Sequence, residues 1–475
     1  MNIEHSVFKI ITDHNIPNWE SPWVKTEKYQ SSGTGFCIAV GKKKYILTNC
    51  HCVENAVLIK AFNRQGSGFS IKVDAILYEC DMALLSPVGG DDLKDVEPLR
   101  FRRLPNKLEK VRVVGYPLGG YNISISAGIV NRVVMVPYMN IADGIALQID
   151  AAINFGNSGG PVIDHEGYVV GIAFSTVNLT IADNMGFIIP TVLINFFIAS
   201  FLRGAFPNGK FMGLGDIGIN TQDMHNKTLR KIFDMKSKKG VLIVNASGNI
   251  KNYDILLEID GHTVNNDGTM RVKDIIENSA GKDFIDIVNI DGNALDTSEV
   301  LPWKPMVRIM HAGDKVSLKI LRDGVEKTVK RSVQTINWNI PQLPYHDSPR
   351  YYTVMGMIFV PLTRMLIQQL AKKDQWVVSL EDWSRTPIPN EYEYVVLADI
   401  YITDFTEEFP QGYYILDTVG GIAVRSLIHL EKTIDTLSTK KDPIIFTFKD
   451  TDKIAALEPD DIRKFSKKIT SEYVR

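Results

Sequence analysis

Three short segments of this sequence carry side chains that could do covalent chemistry together. Tyr45-Ile-Leu-Thr-Asn-Cys-His51 is an apolar run that delivers a histidine at its end. Glu79-Cys-Asp81-Met-Ala-Leu-Leu85 sets an aspartate before another such run, and Gly156-Asn-Ser158-Gly-Gly-Pro161 holds a serine in a glycine-rich turn. A serine hydroxyl is a poor nucleophile until a base takes its proton, and an imidazole needs a buried carboxylate to fix its tautomer. Glycines beside the serine let backbone N–H groups converge where the charge of a tetrahedral intermediate collects. The donors expected there are the N–H groups of Gly156 and Ser158, together with Asn157. Each segment alone has an ordinary structural reading, a histidine after a strand or a tight turn. Their conjunction in the order His51, Asp81, Ser158 points to acyl transfer through a covalent intermediate. Asp74, the nearest rival acid, interrupts its strand and is followed by no comparable apolar run; Asp150 suits a structural role near the site.

The elements that must position these residues are strands. From residue 33 to residue 171 short runs rich in Val, Ile and Tyr are separated by turns such as Asn63-Arg-Gln-Gly66 and Asp164-His-Glu-Gly167. About ten such runs without a helical period indicate a β-sandwich or barrel. The turn 41–44, read as joining the first two strands, is short, so no long insertion is expected between them. Residues 187–202 are apolar, but fewer than the ~20 needed to span a membrane, and include Pro190 and Asn195. They read as a buried helix with Pro190 in its first turn, closing a domain of residues 1–206. A second domain, 207–335, opens on a glycine-rich stretch and continues with a helix near 226–233. Strands follow at 240–245, 255–259 and 315–322, with hairpin turns at Asp260-Gly261 and Asp323-Gly324. Residues 280–305 read as an irregular insertion and 336–350 as a linker. A third domain, 351–475, ends in a charged helix over 459–473.

Composition narrows the function classes. The 475 residues are 45% hydrophobic and 23% charged, with 53 basic against 55 acidic residues. That balance gives no electrostatic support for nucleic-acid binding. Cys37, Cys50, Cys52 and Cys80 are too few for a disulfide scaffold and suit a reducing compartment. Cys50-His51-Cys52 has the wrong spacing for a CxxC zinc site, so neither metal nor cofactor is expected. Glu4, His5 and Asp13 stand where a secretory signal needs a basic start and an apolar run. The expectation is a soluble, intracellular protein of the cytoplasm, with the nucleus open and no membrane partner.

Several segments resemble the Deg/HtrA serine proteases, in the plant-type branch with two PDZ domains. They are Ser32-Gly-Thr-Gly-Phe36, Leu47-Thr-Asn-Cys-His51, Cys80-Asp-Met-Ala-Leu84, Gly115-Tyr-Pro-Leu-Gly119, Ser126-Ala-Gly-Ile-Val130 and the run Gln148–Ser158. Beyond them, Gly240-Val-Leu-Ile, Asp254–Gly261 and Asn266-Asp-Gly-Thr269 resemble the first PDZ domain, and Gly356–Leu362 with Val419–Leu430 the second. The resemblance implies a mainly β fold, a trypsin-like double six-stranded β-barrel followed by two PDZ-like α+β domains. It also implies ATP-independent endopeptidase activity on unfolded or damaged proteins and trimer-based homo-oligomers. The chain departs from that family at Cys50 and Cys52, where small apolar residues are usual, and in the 280–305 insertion.

In double-barrel proteases the residues before the nucleophile line the primary pocket. Here those are Ala152 and Ile153, with Ala173, Phe174 and Ser175 as the strand expected to pair with substrate. No acid stands at the pocket base, which favours small or medium aliphatic side chains over Lys or Arg. A PDZ unit binds an extended chain beside a loop that captures a carboxylate. The candidate loop carries Gly213, Leu214, Gly215, Ile217 and Gly218, with Ile219 and Thr221 on the pairing strand. Two readings of other classes compete: a chaperone with secondary proteolysis, and a PDZ-based scaffold whose protease domain is idle.

Overall fold

Alternation of apolar and polar residues is what a half-buried strand needs, because successive side chains point to opposite faces. The segment Val7–Ile16 has this character toward its end, where Thr12 and His14 are buried while Asp13 between them is only half-buried. It forms β1, a strand that the sequence reading missed because Lys9 and Asp13 break its apolar run. Lys9 is buried, and its Nζ donates to Gly120 O at 2.9 Å. This computed structural model describes residues 3–473 apart from 25–26, 103, 118–119, 121, 137, 139–143, 175–185, 208–210, 247, 280–286, 289–298, 337–339, 341–348, 371–392, 410–411 and 450. The chain divides into two units, one of residues 1–14 and 30–336, the other of residues 15–29 and 337–475.

In the first unit, β1 joins β2 (Glu27–Val40), β3 (Lys43–Thr48), β4 (Ala56–Phe62), β5 (Gly68–Leu77) and β6 (Met82–Pro87). They close into a barrel in the order β1-β2-β3-β6-β5-β4. The turn after Val40 therefore links the second and third strands, and the stretch between the first two runs from Pro17 to Thr26. The expectation of no long connection there is corrected. The short strand β7 (Phe101–Arg102) precedes β8 (Lys110–Gly115), β9 (Ser124–Val136) and β10 (Gly144–Ile149). After these come β11 (Pro161–Ile163), β12 (Val169–Phe174) and β13 (Gly186–Pro190). β11-β8-β9-β10-β13-β12 form a second six-stranded barrel, closed by the β11–β12 pairing, with β7 added in parallel to β12.

Helix α1, Thr191–Leu202, follows β13 directly. Pro190 stands before its first turn in extended backbone, φ −74° and ψ 159°, instead of inside that turn as the sequence suggested. Every residue from Thr191 to Ser200 is buried, as expected of a helix that is apolar all round. Among the described residues no helix is long and apolar enough to cross a membrane.

The rest of the first unit is an antiparallel sheet in the order Ile219–Gln222, Val241–Ala246, Ile255–Ile259, Lys315–Arg322, Val325–Ser332. The helix Lys227–Ile232 is capped by Asn226, whose side chain accepts from the N–H groups of Thr228 and Leu229. Both residues of Asp260-Gly261 and of Asp323-Gly324 have positive φ, the requirement of a type I′ hairpin turn. Most of the expected insertion, 280–305, lies outside the described residues. Its described part is ordered into pairing: Ile287–Val288 runs parallel to β7, and Val300–Pro302 pairs with Thr269–Arg271.

In the second unit six antiparallel strands run in the order Tyr352–Val354, Met357–Pro361, Val395–Ile400, Tyr414–Val419, Ile444–Phe448, Ile454–Leu457. One face of this sheet packs Phe359 and Leu397 against Leu430, Ile434, Ile462 and Ile469, from the helices Leu427–Leu437 and Pro459–Tyr473. The other face, with Val360, Val396 and Ile415, is covered by Leu366, Ile367 and Leu370 and by Trp19. The Trp19 N–H donates to Gln369 Oε1 at 2.8 Å, and Gln369 Nε2 donates to Pro17 O at 3.4 Å. Trp23 meets the Tyr351 ring edge-on at 5.8 Å. Residues between β1 and β2 thus supply part of the core of the C-terminal unit, and the expected domain 1–206 is interrupted at Asn15–Tyr29. Burial of a side chain of this kind stabilises by about 1.5–3 kcal/mol.

Candidate active site

β3 ends at Thr48, and a single 3₁₀ turn, Cys50–Cys52, carries His51 out of the first barrel. A second 3₁₀ turn, Tyr78–Cys80, ends at Asp81, which takes the left-handed conformation, φ 53° and ψ 47°, before β6 begins. That region costs a non-glycine residue about 1 kcal/mol, and aspartate is among those that tolerate it. The conformation aims the carboxylate at one neighbour. Asp81 Oδ1 accepts from the His51 backbone N–H at 2.9 Å, and Oδ2 accepts from His51 Nδ1–H at 2.7 Å. Asn49 Nδ2 donates to the Asp81 carbonyl at 2.9 Å, tying the two turns together behind the pair. With Nδ1 carrying the proton, Nε2 of a neutral His51 is left with its lone pair.

Burial disfavours the charged imidazolium, but the Asp81 carboxylate and the neighbouring Cys52 together outweigh it and lift the His51 pKa well above the ordinary value. Nearby, burial pushes the Glu54 carboxyl up to about 7; His51 opposes that rise and Asp81 adds to it. All four cysteines are buried free thiols. Burial raises Cys37 to about 12 and Cys50 and Cys80 well above the usual range, so these three behave as small apolar core residues.

The serine turn is built against both barrels. Ser158 O accepts from the Thr34 N–H of β2 at 2.9 Å, while Gly159 N–H donates to Ala173 O of β12 at 2.9 Å. Gly159 has φ +83°, and a Cβ there would stand 2.1 Å from Thr34 O and 2.2 Å from Thr48 Oγ1; only glycine fits. Thr34 Oγ1 donates to Gly156 O at 2.7 Å and accepts from Tyr116 N–H at 2.9 Å, which fixes the Gly156–Asn157 peptide. The Cys52 thiol, next to His51, donates to Ser158 O at 3.7 Å, so the histidine turn and the serine turn are in contact.

Among the described residues the N–H groups of Gly156 and Ser158 have no protein acceptor. The Asn157 N–H donates to Asn154 O at 3.0 Å, and its Oδ1 is buried without a partner. The expected contribution of Asn157 to an oxyanion site is corrected on that ground: its N–H is consumed within the turn.

Ala152 is exposed and Ile153 half-buried, its Cδ1 packed where a Cβ on Gly186 would lie 2.9 Å away. Ala173 and Phe174 are buried in β12, and the Phe174 ring lies 5.0 Å from that of Tyr138. Ala173 N–H donates to Gly160 O, and Ala173 pairs with Ile188 of β13. Neither side of Ala173 is a free edge, because the barrel closes through β12, which corrects its expected part in strand pairing. Ser175 lies outside the described residues, as does the loop 175–184.

In the glycine-rich loop, Leu214, Ile217 and Ile219 are interior residues. Gly213 has φ +112° and would set a Cβ 3.3 Å from Thr335. Arg308 Nη1 donates to Gly215 O and pairs with Asp216 Oδ1, both at 3.1 Å, and Gly218 N–H donates to Asp216 Oδ2. Ile219–Gln222 is the edge strand of its sheet, and the Thr221 hydroxyl takes a bond from Trp303 Nε1 at 3.3 Å. Thr34 and Asn49 are the site residues without a role in the sequence reading. The signal was present for Thr34: a β-branched hydroxyl residue between two glycines in a strand marks a close approach of backbone.

The chain matches the family model of a trypsin-like peptidase domain over residues 33–172 and that of a PDZ domain over residues 340–474. It is 30% identical to protease Do-like 2, chloroplastic, of Arabidopsis thaliana, over 99% of this chain and 74% of that one. It is 32% identical to putative protease Do-like 3, mitochondrial, of the same plant, over 99% of this chain and 78% of that one. A solved structure of the HtrA-type protease AlgW with a decapeptide aligns with TM-score 0.47 and 19% identity, over 70% of this chain and 96% of that one. The cytoplasmic expectation is overturned by the compartments in the names of the two plant relatives. It rested on the first residues, which carry no weight when this chain spans about three quarters of those relatives.

Proposed function

Since this chain belongs to the Deg/HtrA family of Do-like serine proteases, we propose that it cleaves polypeptides through Ser158 as nucleophile, with His51 as proton carrier and Asp81 as its orienting carboxylate. It is a serine endopeptidase. What supports the residue roles is the double hold of Asp81 on His51, beside a turn that buries Ser158 and leaves the N–H groups of Gly156 and Ser158 without protein acceptors.

The chemistry follows from that arrangement. His51 Nε2 takes the Ser158 hydroxyl proton as Oγ bonds to the substrate carbonyl carbon, and the carbonyl oxygen becomes an oxyanion facing the N–H groups of Gly156 and Ser158. Collapse of the intermediate breaks the C–N bond, and His51 gives its proton to the departing amine. Water then attacks the acyl-serine by the same path, releasing the acid and restoring the hydroxyl.

The substrates are polypeptides, and by family likeness we take unfolded or damaged chains as the class and a trimer-based homo-oligomer as the assembly. The half-buried Ile153 beside the serine turn favours aliphatic residues before the cleaved bond. By the compartments of its relatives, the expected place of action is an organelle. The experiment is a casein digest with wild type and Ser158→Ala. Loss of about 10³-fold or more is expected; undiminished cleavage by a pure Ser158→Ala preparation would overturn the mechanism.

A further inference from the structure

The turn that carries His51 is short. It is three residues long, and Asn49 before it makes no side-chain cap. Short 3₁₀ turns leave terminal carbonyls that must find partners elsewhere. The Cys52 carbonyl at its end, and the Glu54 carbonyl two residues on, are taken by side chains of β1, which pairs with β4 directly after the turn. Thr12 Oγ1 donates to Cys52 O at 2.7 Å, and His14 Nδ1–H donates to Glu54 O at 2.8 Å. The other ring nitrogen of His14, Nε2, accepts from the Ser31 hydroxyl at 2.6 Å. A carbonyl can only accept, so the Glu54 contact fixes which nitrogen of His14 is protonated.

Thr12 is fully buried and His14 is 1% exposed. The β1–β4 ladder shifts register between Asp13 and His14, the kind of bulge that re-aims a side chain. On its other side the same turn rests on the nucleophile, through the Cys52 thiol at 3.7 Å from Ser158 O. The histidine turn is thus fixed between two hydroxyl- and imidazole-bearing residues of β1 and the serine turn.

We propose that Thr12 and His14 are positioning residues for His51, pinning Cys52 O and Glu54 O so that the imidazole meets Asp81 and Ser158 in one geometry. Neither touches substrate. This inference rests on the proposed roles of His51 and Ser158. A misplacement of about 1 Å at reacting groups costs about 10²-fold in rate, so release of one pin should cost between about 10- and 100-fold.

The test uses Thr12→Val, which keeps the shape and removes the donor, Thr12→Ser, which keeps the donor, and His14→Gln, whose amide can both donate and accept. The full chain is assayed on a short chromogenic peptide, with Ser158→Ala as control and thermal melting in parallel. Thr12→Val should lose about 10-fold or more in kcat with KM within about twofold. Its acid limb of kcat/KM should move to lower pH as the His51–Asp81 contact loosens. Thr12→Ser and His14→Gln should stay within about threefold of wild type. A purely structural role would lower the melting point while leaving kcat and the acid limb of the folded protein in place, and that result would overturn the proposal. Thr12→Ser as impaired as Thr12→Val would overturn it equally. Wild-type activity that survives in Ser158→Ala would instead sink the catalytic assignment on which it stands.

Discussion

Asp81 holds His51 by two bonds of different kind, one to the backbone N–H at 2.9 Å and one to the ring at 2.7 Å. The first fixes where the residue sits, and the second fixes its tautomer and, in the proposed mechanism, stabilises the imidazolium that forms during turnover. Asp81→Asn keeps the size and can keep the backbone bond, but an amide offers the ring either a donor or a weaker acceptor. The expected outcome is a fall in kcat of about 10³–10⁴-fold with the fold intact, read by peptide hydrolysis and circular dichroism.

The pH profile should report the same pair. Only neutral His51 can take the serine proton, so activity rises as pH passes upward through its pKa. Burial lowers that pKa and Asp81 raises it further, so the acid limb of kcat/KM should lie above the ordinary imidazole value of about 6.5. In Asp81→Asn the limb should fall to lower pH in whatever activity remains. A limb below the ordinary value in wild type would contradict the dominance of Asp81.

Thr34 joins the two barrels at the serine turn, its hydroxyl donating to Gly156 O and accepting from Tyr116 N–H. Thr34→Val leaves a buried carbonyl and a buried N–H without partners, at a cost of about 1–3 kcal/mol for each group so orphaned. The Gly156–Asn157 peptide then loses its anchor. Turnover should fall by at least about tenfold, more than the fraction unfolded accounts for; denaturant melts alongside single-turnover acylation separate the two effects.

Glu54 gives a stability prediction with a definite sign. Its pKa rises from 4.5 in the unfolded chain to about 7 in the fold, so the native state binds the proton more tightly. Its favourable contribution is fully present below about 4.5 and is lost as pH rises through about 7. Glu54→Gln, which stays neutral, should therefore gain on wild type above pH 7, by at most about 3 kcal/mol. The gap should close below pH 4.5. Equal melting curves at pH 8 would show that the carboxyl ionises there without penalty.

The parts legible in the sequence were those with a local cause. Asp260-Gly261 and Asp323-Gly324 announce hairpins because their left-handed backbone is open to few residues, and Pro459–Tyr473 announces a helix by its charge and start signal. The pairing of His51 with Asp81 was legible because one ends and the other precedes an apolar run. What stayed hidden depends on partners far along the chain. β1 conceals itself because Lys9 is buried with Gly120, 111 residues away. The use of Ala173 on both sides follows from how the second barrel closes, which no run of residues records.

Trp19 and Gln369 are 350 residues apart and bonded at 2.8 Å. In synthesis the tryptophan is made 350 residues before Gln369, on the surface that buries it. The C-terminal unit is therefore contiguous in space but not in time. Its folding must close a separation of 350 residues, the kind of contact that slows folding. Until then Trp19 lacks the surface that buries it, the kind of exposed apolar group that makes partly folded stages of larger proteins aggregation-prone. A fragment starting at residue 337 would lack a core side chain from the outset.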